Sequence, residues 1–345
     1  MFKKFDLPIT FSLIFLITLS SVVLESIAPA VFPTYFLYIA LGVILYIVFS
    51  QIDFDVISLF SGHFYIVSVI FLVATLIIGK VTRGVVRWIP IGDFSIQAAE
   101  FVRPFLLVFF ANRLTEHNLN AKRLFGVILL FLIPFGLILA QPSLGVALIT
   151  GAGLAGILLA ANIKKRYFLW IFFIAVMLIP VFWTVLAPYQ KSRVITFLNP
   201  ARDPLGKGYN SIQSKISVGS GKLFGRGLGK GVQTQLFFLP ERQTDFIFAS
   251  IAEETGLVGG VLVLIGMFVI LWRLAVFTER SKGPPARAYL SGLFMVFFIQ
   301  ICIHIGMNMG MLPITGIPLP LLSAGGSSLL ATMIGLGIAN GAYKK

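Results

Sequence analysis

Uncharged apolar runs of membrane-spanning length follow one another along almost the whole chain. They cover residues 7–24, 27–52, 56–79, 124–163, 167–190, 255–271 and 288–343. A helix needs about 20 apolar residues to cross a bilayer core, so two of these runs are too long for one crossing. The run 124–163 is interrupted at Gln141-Pro142-Ser143, and 288–343 at the Pro- and Gly-rich stretch 310–320. Each is read as two helices, because proline and glycine break helical continuity. Residues 96–112 add one more apolar helix, which carries Glu100 and Arg103. The pattern predicts an all-α polytopic membrane protein of about ten transmembrane helices, forming a single integral-membrane domain over residues 1–345.

Basic residues orient these helices. With the N-terminus inside, alternate short loops carry Lys3/Lys4, Arg113/Lys122/Arg123, Lys164/Lys165/Arg166, Arg273/Arg280/Lys282/Arg287 and Lys344/Lys345, fourteen of the 27 basic residues. The opposite short loops carry Lys80, Arg83 and Arg87 only. Both termini are therefore expected on the cytoplasmic side. Ala28-Pro29-Ala30 mimics a signal-peptidase site, but the apolar run before it is too long and further spans follow, so 7–24 reads as a retained helix. Composition agrees: 58% of residues are hydrophobic and 12% charged, too little charge to cover a soluble domain. A net charge of +14 on so apolar a chain argues against a nucleic-acid partner. It suits orientation signals and an anionic, membrane-bound partner. The lone Cys302 excludes an intramolecular disulfide and argues against a cysteine-based metal site.

One segment departs from this regularity. Residues 191–245, between spans seven and eight, form a long external loop with nine basic and three acidic residues. Loops of this length inside a compact domain are usually functional. It ends in Leu239-Pro240-Glu241-Arg242-Gln243-Thr244-Asp245. Proline favours a first helical position and acids favour a first turn, so span eight is expected to begin near Pro240. Glu241 and Asp245 would then stack four apart on one face. The plainer reading is a helix-dipole interaction with Arg242 as local counter-ion. Upstream, glycines alternate with Lys222, Arg226 and Lys230 between Gly219 and Gly231. Such backbone can cradle phosphate oxygens, or it can be a flexible interfacial loop on anionic headgroups. It is not a Walker A loop, because Leu223 follows Gly221-Lys222 where Ser or Thr is needed.

Charges within spans are costly and therefore informative. Glu100 and Arg103, three apart, can pair on one helix face, as a structural ion pair or as a cavity wall. Glu253 and Glu254 follow Asp245 by about two turns, and at least one is expected to face protein or water. His63 and His304 stand alone, and such histidines are more often hydrogen-bonded packing than ligands. Glycines 151, 153 and 156 read as close helix-packing positions. The prolines at 313, 318 and 320, with Ser323, Gly325, Gly326, Ser327 and Ser328, suggest irregular backbone at membrane depth, tolerated only beside protein or a water-filled cavity.

Taken in order, these segments resemble the SEDS family, whose members include RodA and FtsW. The resemblance rests on Arg87-Trp88 with Gln97, Glu100 and Arg103; on Phe197-Leu198-Asn199-Pro200 with Asp203-Pro204-Leu205-Gly206; and on Ile212-Gln213-Ser214-Lys215 with Gly219-Ser220-Gly221. It continues through 239–248 and through Leu319-Pro320 with Ser323 and 325–328. Gln233-Thr234-Gln235-Leu236 before Leu239-Pro240-Glu241-Arg242 is more like the RodA branch. Departures are Ser143 where the family has aspartate, Ala98-Ala99 for Pro-Ser, His304 for asparagine, Ala324 for tyrosine, and Arg103 where lysine is commoner.

The resemblance implies a peptidoglycan glycosyltransferase of the bacterial cytoplasmic (inner) membrane. It would polymerise undecaprenyl-pyrophosphate-linked lipid II at the outer face, for cell elongation and rod shape. Asp245 would be the catalytic carboxylate, acting as a base or as a ligand of a divalent cation (Mg or Mn); no organic cofactor is implied. By charge type, Arg87, Arg103, Lys222 and Arg242 are candidates to neutralise pyrophosphate. Glu100, Glu241 and Ser323 complete the expected substrate contacts. A class B penicillin-binding transpeptidase and elongation-complex membrane proteins are the implied partners. The alternatives are an FtsW-like division polymerase, a flippase of lipid-linked precursors, and a non-catalytic scaffold for a transpeptidase.

Overall fold

The computed structural model describes residues 5–82, 85–91, 94–116, 120–161, 186–206 and 208–343, with scattered positions between 167 and 184. Its helices are α1 (Leu7–Ile27), α2 (Phe32–Gln51), α3 (Phe54–Leu59) and α4 (Ser61–Ile78), then, after a small sheet, α5 (Ala98–Phe101), α6 (Arg103–Thr115), α7 (Ala121–Ala140) and α8 (Leu144–Ala160). Beyond these come α9 (Pro188–Leu198), α10 (Tyr209–Ser220), α11 (Val232–Gln235), α12 (Ile247–Arg280), α13 (Pro284–Asn308) and α14 (Gly326–Ala342). Among the described residues, six helices are at least 18 residues long and apolar enough to cross a membrane. The expected break at 141–143 separates α7 from α8, and the break at 310–320 lies between α13 and α14. The seventh predicted span, 167–190, falls largely outside the described residues. Its predicted end overlaps a separate helix, α9, which starts at Pro188 after the extended Ala187 (ψ 151°).

Helix α14 sits at the centre, with all 17 residues buried, as expected for a helix that is apolar all round. It lies against α2, where a side chain on Gly42 would meet Leu329 Cδ2 at 2.9 Å and one on Gly337 would meet the Tyr46 carbonyl at 2.9 Å. Helix α13 packs closely on α8. A Cβ on Gly153 would come within 2.9 Å of Val296 Cγ2, and one on Gly156 within 2.5 Å of the Ser291 carbonyl. Gly153 and Gly156 are thus close packing positions, as expected, whereas a Cβ on Gly151 would meet only Phe135, at 3.9 Å.

Two features were not anticipated. An antiparallel sheet of three strands, β1 (Lys80–Thr82), β2 (Val85–Ile91) and β3 (Phe94–Gln97), precedes α5. Its register pairs Lys80 with Trp88 and Trp88 with Gln97. The β-branched runs in this stretch favour strands. Second, the segment expected to be a long external loop, 191–245, takes in most of α9 and all of α10 and α11. Helix α10 turns Ser211, Ser214 and Ser217 inward, and the Ser214 hydroxyl donates to the Asn308 carbonyl at 2.8 Å.

Candidate active site

Asp245 lies in a turn, not in a helix. Span eight begins at Ile247 rather than near Pro240, because Glu241 takes a left-handed backbone (φ 52°) directly after the proline. The Glu241 carbonyl accepts from the N–H groups of Thr244 (3.1 Å) and Phe246 (3.2 Å), closing a turn that places Glu241 and Asp245 on no common helical face. The Thr244 hydroxyl donates to Glu241 Oε2 at 3.1 Å. Two contacts tie this turn to the irregular chain before α14: Ala324 N–H donates to the Gln243 carbonyl (2.9 Å) and the Ser323 hydroxyl to the Thr244 carbonyl (2.7 Å). Ser323 also accepts from Leu319 N–H at 2.8 Å, so this buried hydroxyl holds two chain segments together.

A stripe of polar side chains on α13 supports the same backbone. Gln300, His304 and Asn308 are four residues apart, hence on one face. Gln300 Nε2 donates to the Pro318 carbonyl at 2.8 Å. His304 Nδ1 lies 2.7 Å from the Ile317 carbonyl, and since a carbonyl only accepts, that nitrogen carries the proton. Asn308 Nδ2 donates to the carbonyl of Asp245 itself at 3.0 Å, while its Oδ1 accepts from Ala249 N–H at 3.1 Å. The stripe was missed because His304 was read alone. Its signal was the spacing of three polar residues in an apolar span.

The charges near Asp245 come from separate elements. Gly316 (φ 71°) exposes bare backbone: a Cβ there would lie 3.5 Å from Asp245 Oδ2 and 3.8 Å from Arg193 Nη1. Arg193, on α9, sits 5.8 Å from the centre of the Tyr189 ring. Arg87, on β2, donates through Nε to the Gln141 carbonyl (3.1 Å), and through Nη2 to the Pro142 carbonyl and to the Tyr189 hydroxyl (3.3 Å). Burial pulls the Arg87 guanidinium below its ordinary pKa. Tyr189 opposes this, Arg193 reinforces it, and the Asp245 carboxylate opposes it. Asp245 also acts electrostatically on the buried Glu100. A cavity of about 480 Å³ opens beside this group, lined by Tyr189, Ser192, Arg193, Thr196, Pro313 and Ile314 among others. Arg193 was not among the expected site residues. Its signal was a basic residue four positions before the Phe197–Pro200 motif.

Other expected residues are placed elsewhere. Arg103 is buried and donates to Gln300 Oε1 at 3.1 Å, joining the α13 stripe while its charge acts on Glu100. Arg242 is only 8% exposed; its Nε donates to the Ile27 carbonyl at 2.8 Å and its guanidinium stacks 3.8 Å over the Phe237 ring. Lys222 is exposed on the glycine-rich segment. Both Glu253 and Glu254 are buried. Glu253 accepts from the N–H groups of Gln233 (2.8 Å) and Thr234 (3.0 Å). Glu254 accepts from the Ser26 hydroxyl (2.8 Å), Gly229 N–H (3.1 Å) and Gln235 Nε2 (3.1 Å). These carboxylates clasp the chain that leads to Asp245. Among the described residues no three His, Cys, Asp or Glu side chains gather to hold a metal ion. Asp245 with Arg193 at the same bare backbone and Arg87 in electrostatic reach is a poor donor set for a resident divalent cation, which calls for several oxygen ligands.

Residues 1–344 match the cell cycle protein family of FtsW, RodA and SpoVE. The chain is 37% identical over 305 residues to the peptidoglycan glycosyltransferase MrdB of Escherichia coli (strain K12), covering 87% of this chain and 82% of that protein. It superposes with a TM-score of 0.85 and 29% identity on a chain from a peptidoglycan synthase complex that coordinates polymerization and crosslinking, covering 97% of this chain and 96% of the other. Against the rod shape determining protein RodA of Thermus thermophilus the TM-score is 0.74 at 25% identity, covering 99% and 98% of the two chains.

Proposed function

Because the chain belongs to the cell cycle protein family of FtsW, RodA and SpoVE, it is a peptidoglycan glycosyltransferase of the membrane, and we propose that Asp245 is its catalytic carboxylate. The substrate class is lipid II, a disaccharide-peptide on a polyprenyl pyrophosphate, and the role is wall synthesis during elongation. The observation that carries the assignment of Asp245 is its placement: a carboxylate with Arg193 beside the same bare backbone, within the electrostatic reach of Arg87, next to a sugar-sized cavity.

The acceptor is a sugar hydroxyl, a poor nucleophile until a base takes its proton. Asp245 takes that proton as the hydroxyl oxygen attacks the anomeric carbon of the donor. The bond from that carbon to the phosphate oxygen breaks, and polyprenyl pyrophosphate leaves with the bonding electrons. Direct attack inverts the anomeric configuration. Charge grows on the departing phosphate, and Arg87 and Arg193 are the cations set to stabilise it. Arg103 and Gln300 line a second, much smaller cavity, and Glu100 is buried. On its donor set the resting protein does not hold the expected divalent cation; such an ion would arrive with the substrate's pyrophosphate. Titrating substrate-free protein with Mn²⁺ should then show no tight site.

The deciding experiment is polymerisation of lipid II by purified protein. Asp245→Asn should fold and bind lipid II yet lose at least about 100-fold in rate, the scale of a general base. Polymer made at the normal rate would refute the assignment. We further propose that the reaction takes place at the outer face of the cytoplasmic membrane, with a crosslinking transpeptidase of the penicillin-binding class as partner. The likeness to a chain of a complex that coordinates polymerization and crosslinking supports that partner.

A further inference from the structure

The segment 221–230 carries chemistry that this reaction does not use. It is held rigidly against α12 at a break in that helix. Gly256 has φ 70° and ψ −162°, a conformation essentially restricted to glycine, and a Cβ there would lie 2.5 Å from the Leu223 carbonyl. Where helical bonding lapses, the segment takes over: Leu257 N–H donates to the Lys222 carbonyl (2.8 Å) and Val258 N–H to the Leu223 carbonyl (3.2 Å). Arg226 and Gly227 N–H groups donate to the carbonyls of Glu253 (2.9 Å) and Glu254 (3.0 Å).

What this fixed backbone displays is apolar and cationic. Phe224 is 82% exposed, and Leu223 and Leu228 are also exposed. Their neighbours are the first residues of a lipid-facing stripe on α12, Leu257 and Val258, which continues through Val261, Ile265 and Phe268. Lys222, Arg226 and Lys230 alternate with the apolar side chains and are exposed. The acids beneath, Glu253 and Glu254, are buried and bonded to backbone; Glu25, next to the Ser26 contact, is the exposed acid on the adjoining turn.

We propose that residues 221–230 form an interfacial lipid anchor: Leu223, Phe224 and Leu228 enter the hydrocarbon edge, while Lys222, Arg226 and Lys230 bind phosphates of anionic phospholipid headgroups. The charge complementarity and the continuity with the lipid-facing stripe of α12 select a lipid surface as occupant. Apolar side chains with flanking Lys and Arg are the composition of an interfacial segment. The anchor would fix the depth of the chain that runs on to Asp245, and it stands independently of the catalytic assignment.

The test uses the full chain with Cys302→Ser, since Cys302 is the one cysteine and is exposed, and with Phe224→Cys carrying a nitroxide. The protein is placed in nanodiscs of phosphatidylcholine with or without a quarter phosphatidylglycerol, and without lipid II. The label should be more accessible to oxygen than to a water-soluble nickel relaxant, whereas a label at Glu116→Cys should show the reverse. Lys222→Gln/Arg226→Gln/Lys230→Gln should lower the excess of spin-labelled phosphatidylglycerol around the protein at least about two-fold. A label at position 224 that lies in water overturns the anchor. So does an unchanged lipid excess in a triple variant that elutes as folded protein. If added lipid II displaces the bound phosphatidylglycerol, the site belongs to substrate and the proposal fails.

Discussion

The two ends of this helical bundle treat polar groups in opposite ways. At the end that carries Asp245, the backbone is irregular over 236–246 and 309–325, where buried Asn308, His304, Gln300 and Ser323 satisfy it, while buried Glu253 and Glu254 bond N–H groups of Gly229, Gln233 and Thr234. At the other end, the helices run regular to their tips and charges meet in local pairs, Asp6 with Arg273 and Glu116 with Arg113 and Arg123. A buried polar atom left without its partner costs about 1–3 kcal/mol, whereas an exposed pair contributes about 0–1 kcal/mol. Mutations should therefore damage function at the first end and do little to it at the second.

The sharpest test is Asn308→Ala. It removes the donor to the Asp245 carbonyl and the acceptor for Ala249 N–H, two partners in a fully buried place. We expect a loss of about 2–4 kcal/mol in stability, and a fall in kcat of at least about ten-fold in the folded fraction with little change in KM. A drop in stability alone, with normal kcat per folded molecule, would make Asn308 a packing residue like any other. Gly256→Ala comes next. Strain at its positive φ and a collision with Leu223 should cost about 1–3 kcal/mol, and proteolysis within 221–235 should quicken as the clasp to Glu253 and Glu254 loosens.

Legibility in the sequence follows the same division. Helices that meet lipid announce themselves by composition, and the breaks at 141–143 and 310–320 were visible as proline and glycine within apolar runs. The turn around Asp245 was not. Pro240 followed by acids satisfies every local rule for a helix start, and the turn wins because Ser323, Ala324 and Asn308, 63 to 81 residues away, bond its carbonyls. Glu100, Arg87 and Asp245 were found by type and resemblance. Arg193 was passed over because its significance depends on Gly316 bringing bare backbone to it. The glycines of 221–231 look alike in sequence to those of 151–156; only the fold separates a clasp with positive φ from a seam between helices.

Asp6 offers an intermediate case. It caps α1 through Ile9 N–H at 3.2 Å and takes two hydrogen bonds from Arg273, that from Nε at 3.0 Å. With side chains only 6% and 13% exposed, the pair is partly buried, so Asp6→Asn should cost about 2 kcal/mol. Polymerisation per folded molecule should stay within about two-fold of normal. Loss of activity beyond the loss of folded protein would show that this end, too, is coupled to the site.

The smallest effect is expected at Glu116. Its carboxylate lies 3.5 Å from both Arg113 Nη1 and Arg123 Nη2, and its side chain is 45% exposed. Water and salt compete for each of these contacts, and holding the long side chains in place costs entropy that offsets the attraction. Glu116→Gln keeps the shape and removes the charge, so the stability change should stay within about 0.5 kcal/mol, a shift in Tm of about 2 °C or less, shrinking further as salt rises. Activity should be unchanged. A Glu116→Gln protein as impaired as Asn308→Ala would mean that exposure does not set the value of a polar contact in this bundle, and the contrast between its two ends would have to rest on something other than burial.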